Sequence, residues 1–172
     1  MKSIGILSDT HGYIPEALFD FFKNCDEIWH AGDWGNEACL NKLREFKPLK
    51  AVYGNIDGQE LRIQMPEVLE FTCEGVKICM LHIGGYPGHY SPQFKKLLSS
   101  NSYDLMICGH SHILKAMKDP QSGMMHLNPG AAGKHGFHKV STAMRLKFDK
   151  KRMYELEVWE QKMNTLDNPV DK

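Results

Sequence analysis

The sequence predicts an α/β fold whose early strands run parallel under covering helices. Three observations carry this expectation. Short apolar runs alternate with helix-period segments through the first third of the chain. The middle then switches to a hairpin pattern. The last third alternates side chains two by two, as antiparallel strands do.

Taken in order, KSIGILS is a short apolar run closed by the breaker SDTHG. IPEALFDFFKN sets Ile14, Leu18, Phe21 and Phe22 at helical spacing, with Pro15 suited to a first helical turn. DEIWHAGD is again strand and breaker. NEACLNKLREF is an amphipathic helix carrying Ala38, Leu40, Leu43 and Phe46, and PLKAVYGN is a third strand and breaker. IQMPEVLEFTCEGVKICMLH reads as two extended segments joined at Glu74-Gly75. SPQFKKLLSS is a helix with Ser91 near its N-cap. YDLMICGH is a further strand. ILKAMKD, GMMHLNPG, STAMRLKFD and RMYELEVWE read as antiparallel strands joined by Pro, Gly and Asp turns.

A chain of 172 residues suits one domain, 1–172, with a polar tail over 163–172 expected to fray. Composition is 42% hydrophobic and 24% charged, as in globular domains. Lys+Arg and Asp+Glu are both 21, so no basic surplus signals a nucleic-acid partner. No run approaches the roughly 20 apolar residues that span a bilayer, and IGIL is too short for a secretory core. A cytoplasmic protein that starts in its first strand is expected. Five cysteines without a CxxC pair are expected as buried free thiols.

The polar breakers share a position. Asp9 and His11 (SDTHG), Asp33 (HAGD), Asn55 (YGNID), His82 (MLHIGG), and His110 and His112 (CGHSH) each follow a strand. In open α/β sheets ligands bind beyond the carboxyl ends of strands, where residues from separate loops meet. Alone, each motif is most often an ordinary turn. Together, in the order D-x-H, G-D, G-N, H, G-H-x-H, they resemble the signature of the calcineurin-like metallophosphoesterase superfamily. The likeness runs from Ser8 to His112. With the short chain and the later Asn128-Pro129-Gly130, it is nearest to the small YfcE-like phosphodiesterase branch.

The resemblance implies a two-sheet αββα sandwich with mixed sheets and flanking helices. It also implies two divalent metal ions bridged by Asp33. One would take Asp9, His11, Asp33 and His112; the other Asp33, Asn55, His82 and His110. Mixed carboxylate, amide and imidazole ligands suit Mn²⁺, Fe, Co²⁺, Ni²⁺ or Zn²⁺ more than Ca²⁺, and of these Mn²⁺ is the expected ion. The implied activity is phosphodiester hydrolysis by a metal-bridging hydroxide, with Asp33, Asn55 and His110 as catalytic residues. His30, Asp57, His89 and Asn128 are candidate substrate contacts. Asn128 also suits a turn-shaping role, and His30 a backbone partner. The implied partners are a small phosphodiester substrate and a further copy of the chain in a dimer or tetramer, with no membrane. A phosphomonoesterase of the same superfamily and a non-catalytic protein-binding scaffold on this fold are the alternatives.

Two departures bear on substrate. Many family members have a histidine after the Asn55 position; here it is Ile56, which disfavours general phosphomonoesters. Asp57 is a candidate substitute acid, which would need a raised pKa. Relatives often read H-G-H where this chain has His82-Ile83-Gly84, and then Gly85. GGYPGHY, with Tyr86, His89 and Tyr90, reads as a loop over the site. His135 and His138, with Lys134, either reach phosphate or belong to a solvated loop.

Overall fold

A computed structural model describes residues 1–163; residues 164–172, where most of the expected tail falls, lie outside the described residues. The first half of the chain places β1 (Lys2–Leu7), α1 (Ala17–Phe22), β2 (Glu27–His30), α2 (Glu37–Phe46), β3 (Leu49–Ala51) and α3 (Gln59–Arg62). The hairpin β4 (Val68–Cys73) and β5 (Val76–Leu81) follows, then the two-residue strands β6 (Gly85–Tyr86) and β7 (His89–Tyr90). After α4 (Pro92–Ser100) come β8 (Leu105–Ile107), β9 (Leu114–Lys118), β10 (Met125–Pro129), β11 (Val140–Asp149) and β12 (Arg152–Lys162).

Among the described residues ten strands form two five-stranded mixed sheets, ordered β12-β11-β1-β2-β3 and β4-β5-β8-β10-β9, and β6 and β7 pair as a separate ribbon. In the first, β1, β2 and β3 are parallel and β11 and β12 antiparallel. In the second, β5, β8 and β10 are parallel, flanked by antiparallel β4 and β9. The expectation of purely antiparallel strands after His112 is corrected at β10. It pairs antiparallel with β9 on one side but parallel with β8 on the other.

Alternation along each strand decides which layer a side chain enters. Ile4, Ile6, Ile78, Met80, Leu105, Ile107, Met144, Leu146 and Phe148 fill the core between the sheets. The intervening Leu7, Ile28 and Ala143 face α1 and α2, packing with Leu18, Phe22, Leu40 and Leu43. Cys79, Leu81 and Met106 face α4 through Phe94. The result is the αββα sandwich. Gly5 lets α1 approach: a Cβ there would lie 2.7 Å from both Ile28 Cδ1 and Phe22 Cδ1.

Local signals account for the element ends. Asn36 caps α2 by accepting the Cys39 N–H, and Ser91 caps α4 by accepting the Phe94 N–H. Register on α2 differs from expectation by one residue: Cys39, not Ala38, is buried beside Leu40 and Leu43. Glu74 and Gly75 both have positive φ (48° and 85°), as a two-residue type I′ hairpin requires. All five cysteines are free and buried, and burial pushes the Cys79 and Cys108 thiols up to about 12. No helix among the described residues is long and apolar enough to cross a membrane.

Candidate metal centre

The parallel strands β1, β2 and β3 of one sheet and β5 and β8 of the other deliver their carboxyl ends to one edge of the sandwich. Asp9 and His11 follow β1, Asp33 follows β2, Asn55 follows β3, His82 follows β5, and His110 and His112 follow β8. Among the described residues nine non-glycine residues have positive φ, and five of them are here: Asp9 (55°), His11 (45°), Asp33 (58°), His110 (69°) and His112 (57°). Each such residue costs on the order of 1–3 kcal/mol and persists only where its surroundings hold it. Several of the holding bonds run between backbone groups. Asp9 N donates to Gly32 O (2.9 Å), His11 N to Asp33 O (3.1 Å) and Gly109 N to His82 O (3.0 Å). Glycine would relieve the strain, but it carries no ligand side chain.

Glycines do appear where backbone must yield space. A Cβ on Gly54 would sit 2.0 Å from Asp33 Oδ1, and one on Gly109 2.0 Å from Ser8 Oγ and 2.6 Å from Asp9 Oδ2. The G-N and G-H pairs of the sequence thus let two loops close on the carboxylates.

The side chains converge in two groups able to hold metal ions: Asp9, His11 and His112; and Asp33, His82 and His110. Within the first, Asp9 Oδ1 lies 3.1 Å from His112 Nε2 and 3.7 Å from His11 Nε2. Within the second, His82 Nε2 lies 3.1 Å from Asp33 Oδ2. Asp33 Oδ2 also lies 3.7 Å from His11 Nε2, so this carboxylate stands between the groups. Asn55 joins the second group, its Oδ1 3.0 Å from His110 Nδ1.

Their chemistry fits metal ions. Among the described residues, three buried side-chain polar atoms lack a hydrogen bond, and two of them are Asp9 Oδ1 and His82 Nε2. Buried polar atoms are rarely left so. His82 Nδ1 donates to the Ala31 carbonyl (2.7 Å), which leaves the Nε2 lone pair aimed at Asp33 Oδ2. A lone pair facing a carboxylate is stable only when the imidazole takes a second proton or both share a cation. Burial opposes ionisation of Asp9, but the closeness of the His11, His112 and His82 imidazoles outweighs it, so its carboxyl stays below the ordinary range. Asp33 behaves likewise: burial is outweighed by His82 and the Ile56 N–H. His82, disfavoured as a cation by burial, is raised by Asp33 and Asp9. The site therefore concentrates negative charge where imidazoles converge.

The other candidates fall elsewhere. Asp57 is buried, and both oxygens are occupied: Oδ1 accepts from Trp34 N (2.8 Å) and Gly35 N (3.1 Å), Oδ2 from Gly54 N (2.8 Å) and Asp33 N (3.1 Å). It clamps the loops after β2 and β3, and has no free oxygen to act as a substitute acid or to contact a substrate. For His30 the backbone-partner reading is the one the structure matches. Its Nδ1 accepts from Gly32 N (3.1 Å), its Nε2 meets Thr10 Oγ1 (3.1 Å), and its ring stacks on Trp34 at 3.5 Å. Burial holds it near a pKa of about 3, hence neutral. Asn128 donates to Gly109 O (2.9 Å) and Ser111 Oγ (3.0 Å) and accepts from Gly130 N (2.9 Å), fixing the G-H-S-H turn from behind. His89 lies on the β6–β7 hairpin beside Tyr86, so the expected loop over the site is a short ribbon.

Two residues carry more than their motif suggested. The His138 ring meets His112, Nδ1 to Nδ1 at 3.3 Å, and His135 lies against His11 with ring centroids 5.1 Å apart. A glycine-rich loop gives no spacing signal for such contacts. The cleft over the groups has His11, Asp33, Asn55, His110, His112, His135 and His138 in its lining, with Ile56, Ile113 and Phe137 at its margin.

Comparison with known proteins agrees with this geometry. Residues 1–151 match the model of the calcineurin-like phosphoesterase superfamily domain. A probable metallophosphoesterase of Methanothermobacter thermautotrophicus is 33% identical over 135 residues, covering 74% of this chain and 76% of that protein. A phosphodiesterase of Methanocaldococcus jannaschii is 25% identical over 146 residues, covering 74% and 82%. Among solved structures, Vps29 of Chaetomium thermophilum superposes with a TM-score of 0.77 at 16% identity, covering 96% of this chain and 92% of that one, which is a likeness of fold. The chain belongs to the calcineurin-like phosphoesterase superfamily, whose members use divalent metals to act on phosphoester bonds.

Proposed function

We propose that the protein is a dinuclear metal-dependent phosphodiesterase acting on small diesters. The observation that carries this reading is the position of Asp33 Oδ2, 3.1 Å from His82 Nε2 and 3.7 Å from His11 Nε2, between the two groups. Asp9, His11 and His112 would hold one ion and His82, His110 and Asn55 the other, with Asp33 shared. This donor set admits Mn²⁺, Fe, Co²⁺, Ni²⁺ or Zn²⁺, of which Mn²⁺ is the ion to try first. When bound, two such ions supply Lewis acidity at the phosphoryl oxygens and acidify water to near neutral pH.

The protein's own residues set the rest. His82 is fixed by the Ala31 carbonyl and His112 by His138, so both rings present Nε2 without rotating. Asp57 keeps the Asp33 loop in its left-handed turn. The position after Asn55 offers the leaving group no imidazole, because Ile56 stands there half-exposed, and both oxygens of the next residue, Asp57, are occupied. Esters whose alcohol departs without a proton donor are favoured. A diester also brings one negative charge where a monoester brings two, and an apolar margin suits its second organic group.

The test is turnover of bis-p-nitrophenyl phosphate against p-nitrophenyl phosphate, with Mn²⁺, Ni²⁺, Co²⁺ and Zn²⁺ in turn. Diester turnover exceeding monoester turnover is expected. Faster monoester turnover would mean a phosphomonoesterase. No bound metal and no turnover with any metal would mean a protein-binding scaffold.

A further inference from the structure

His110, Ser111 and Ile113 form a wall shared by two cavities. One is the cleft over the metal groups. The other, about 330 Å³, lies on the far side of that wall and has no role in the reading above. Its size is at the lower end for small-molecule sites.

The lining of this second cavity is distinctive. Ile83, Tyr86 and Ile113 are 41%, 43% and 60% exposed, and all three line it. A single exposed apolar side chain means little, but three converging on a concavity mark a binding surface. No carboxylate lines it. Its charge comes from Lys115, whose Nζ lies 4.1 Å from the centre of the Tyr86 ring. Among the described residues no carboxylate pairs with that ammonium, whereas those of Lys50 and Lys147 each have one. Buried His126 also lines the cavity. Its Nδ1 lies 3.0 Å from the Met106 sulfur, which only accepts, so Nε2 is an acceptor. The cavity thus offers apolar walls, an aromatic face and one uncompensated cation, adjoining a residue of the metal centre.

We propose that this cavity is the subsite for an organic group of the phosphoester, and that it selects a planar ring bearing an acidic group of its own. The ring packs among Ile83, Tyr86 and Ile113, and the acid meets Lys115. The assignment rests on the phosphoesterase reading, since it places the phosphoryl group at the metal centre across His110.

Three phosphate monoesters used as ligands test it: methyl phosphate, phenyl phosphate and 4-carboxyphenyl phosphate. Calorimetry on the full chain, with and without Mn²⁺, reads their affinities independently of turnover. Phenyl phosphate is expected to bind about tenfold tighter than methyl phosphate, from ring burial. The carboxylate should add about threefold more, the size of a partly exposed ion pair. Lys115→Met should remove the carboxylate step and keep the phenyl step; Tyr86→Ala should reduce the phenyl step. Equal affinities, absence of binding by all three, or variants that weaken all three by one common factor would overturn the assignment. Normal diester turnover with equal affinities would sink the cavity alone. Graded affinities without turnover of any ester would sink the catalytic reading and leave the cavity standing.

Discussion

His138 Nδ1 lies 3.3 Å from His112 Nδ1, while His138 Nε2 lies 2.9 Å from the Gly133 carbonyl. A carbonyl can only accept, so the His138 proton is on Nε2 and its Nδ1 accepts from His112. His112 therefore presents its Nε2 lone pair toward Asp9 Oδ1, 3.1 Å away. The same arrangement occurs at His82 through the Ala31 carbonyl. Two imidazoles that follow neighbouring strands of one sheet are thus set in the tautomer that binds metal.

His138→Ala should weaken metal binding at the Asp9 group about 10- to 100-fold, the usual effect of losing the partner of a ligating imidazole. Titration with Co²⁺, followed by its visible spectrum, separates the two sites. The group containing His82 should keep its affinity. Unchanged binding at both would mean that His138 is only a loop residue.

Asp57→Ala removes the acceptor for four backbone N–H groups, those of Asp33, Trp34, Gly35 and Gly54. Leaving buried donors unpaired should cost about 3–5 kcal/mol. Thermal unfolding without added metal should show a drop on the order of 10 °C. Asp57→Asn, which keeps one accepting oxygen, should lose less. A shift too small to measure would contradict the clamp.

His126 is buried, and burial, aided by the Lys115 charge, lowers its pKa to about 4, against about 6.5 in the unfolded chain. Below pH 6.5 the unfolded state takes up a proton that the folded state refuses. Stability from this group is therefore constant above pH 6.5 and falls between pH 6.5 and 4, by at most about 1.4 kcal/mol per pH unit. Urea unfolding of His126→Phe against the parent should show a flatter pH dependence across that window. Parallel curves would mean that His126 titrates normally in the fold.

Most of the frame was legible because it depends on local signals. The G-D, G-N and G-H breakers mark strand ends, and Ser91 and Asn36 mark helix starts, each within a few residues of chain. Convergence of Asp9, Asp33, His82 and His110 followed from the rule that parallel strands present their carboxyl ends together. What was not legible depends on partners far apart in sequence. Spacing leaves His30 open between a substrate contact and a backbone partner, and only the fold shows Thr10, Gly32 and Trp34 occupying it. Asp57 looked like a spare acid, but its partners follow a different strand. The parallel pairing of β10 with β8 could not be read because periodicity gives a strand's faces and not its neighbours. Helix α3 and the β6–β7 ribbon are too short to show a period.

The central claim is that Asp33 is shared by two ions that together support phosphodiester hydrolysis. Metal content and bis-p-nitrophenyl phosphate turnover, measured side by side on the parent and on Asp33→Asn, test it most directly. The account predicts two Mn²⁺ per chain in the parent, fewer in the variant, and a loss of turnover of at least about 100-fold, the scale of removing one charge-stabilising group. Parent-level turnover in the variant with unchanged metal content would contradict it.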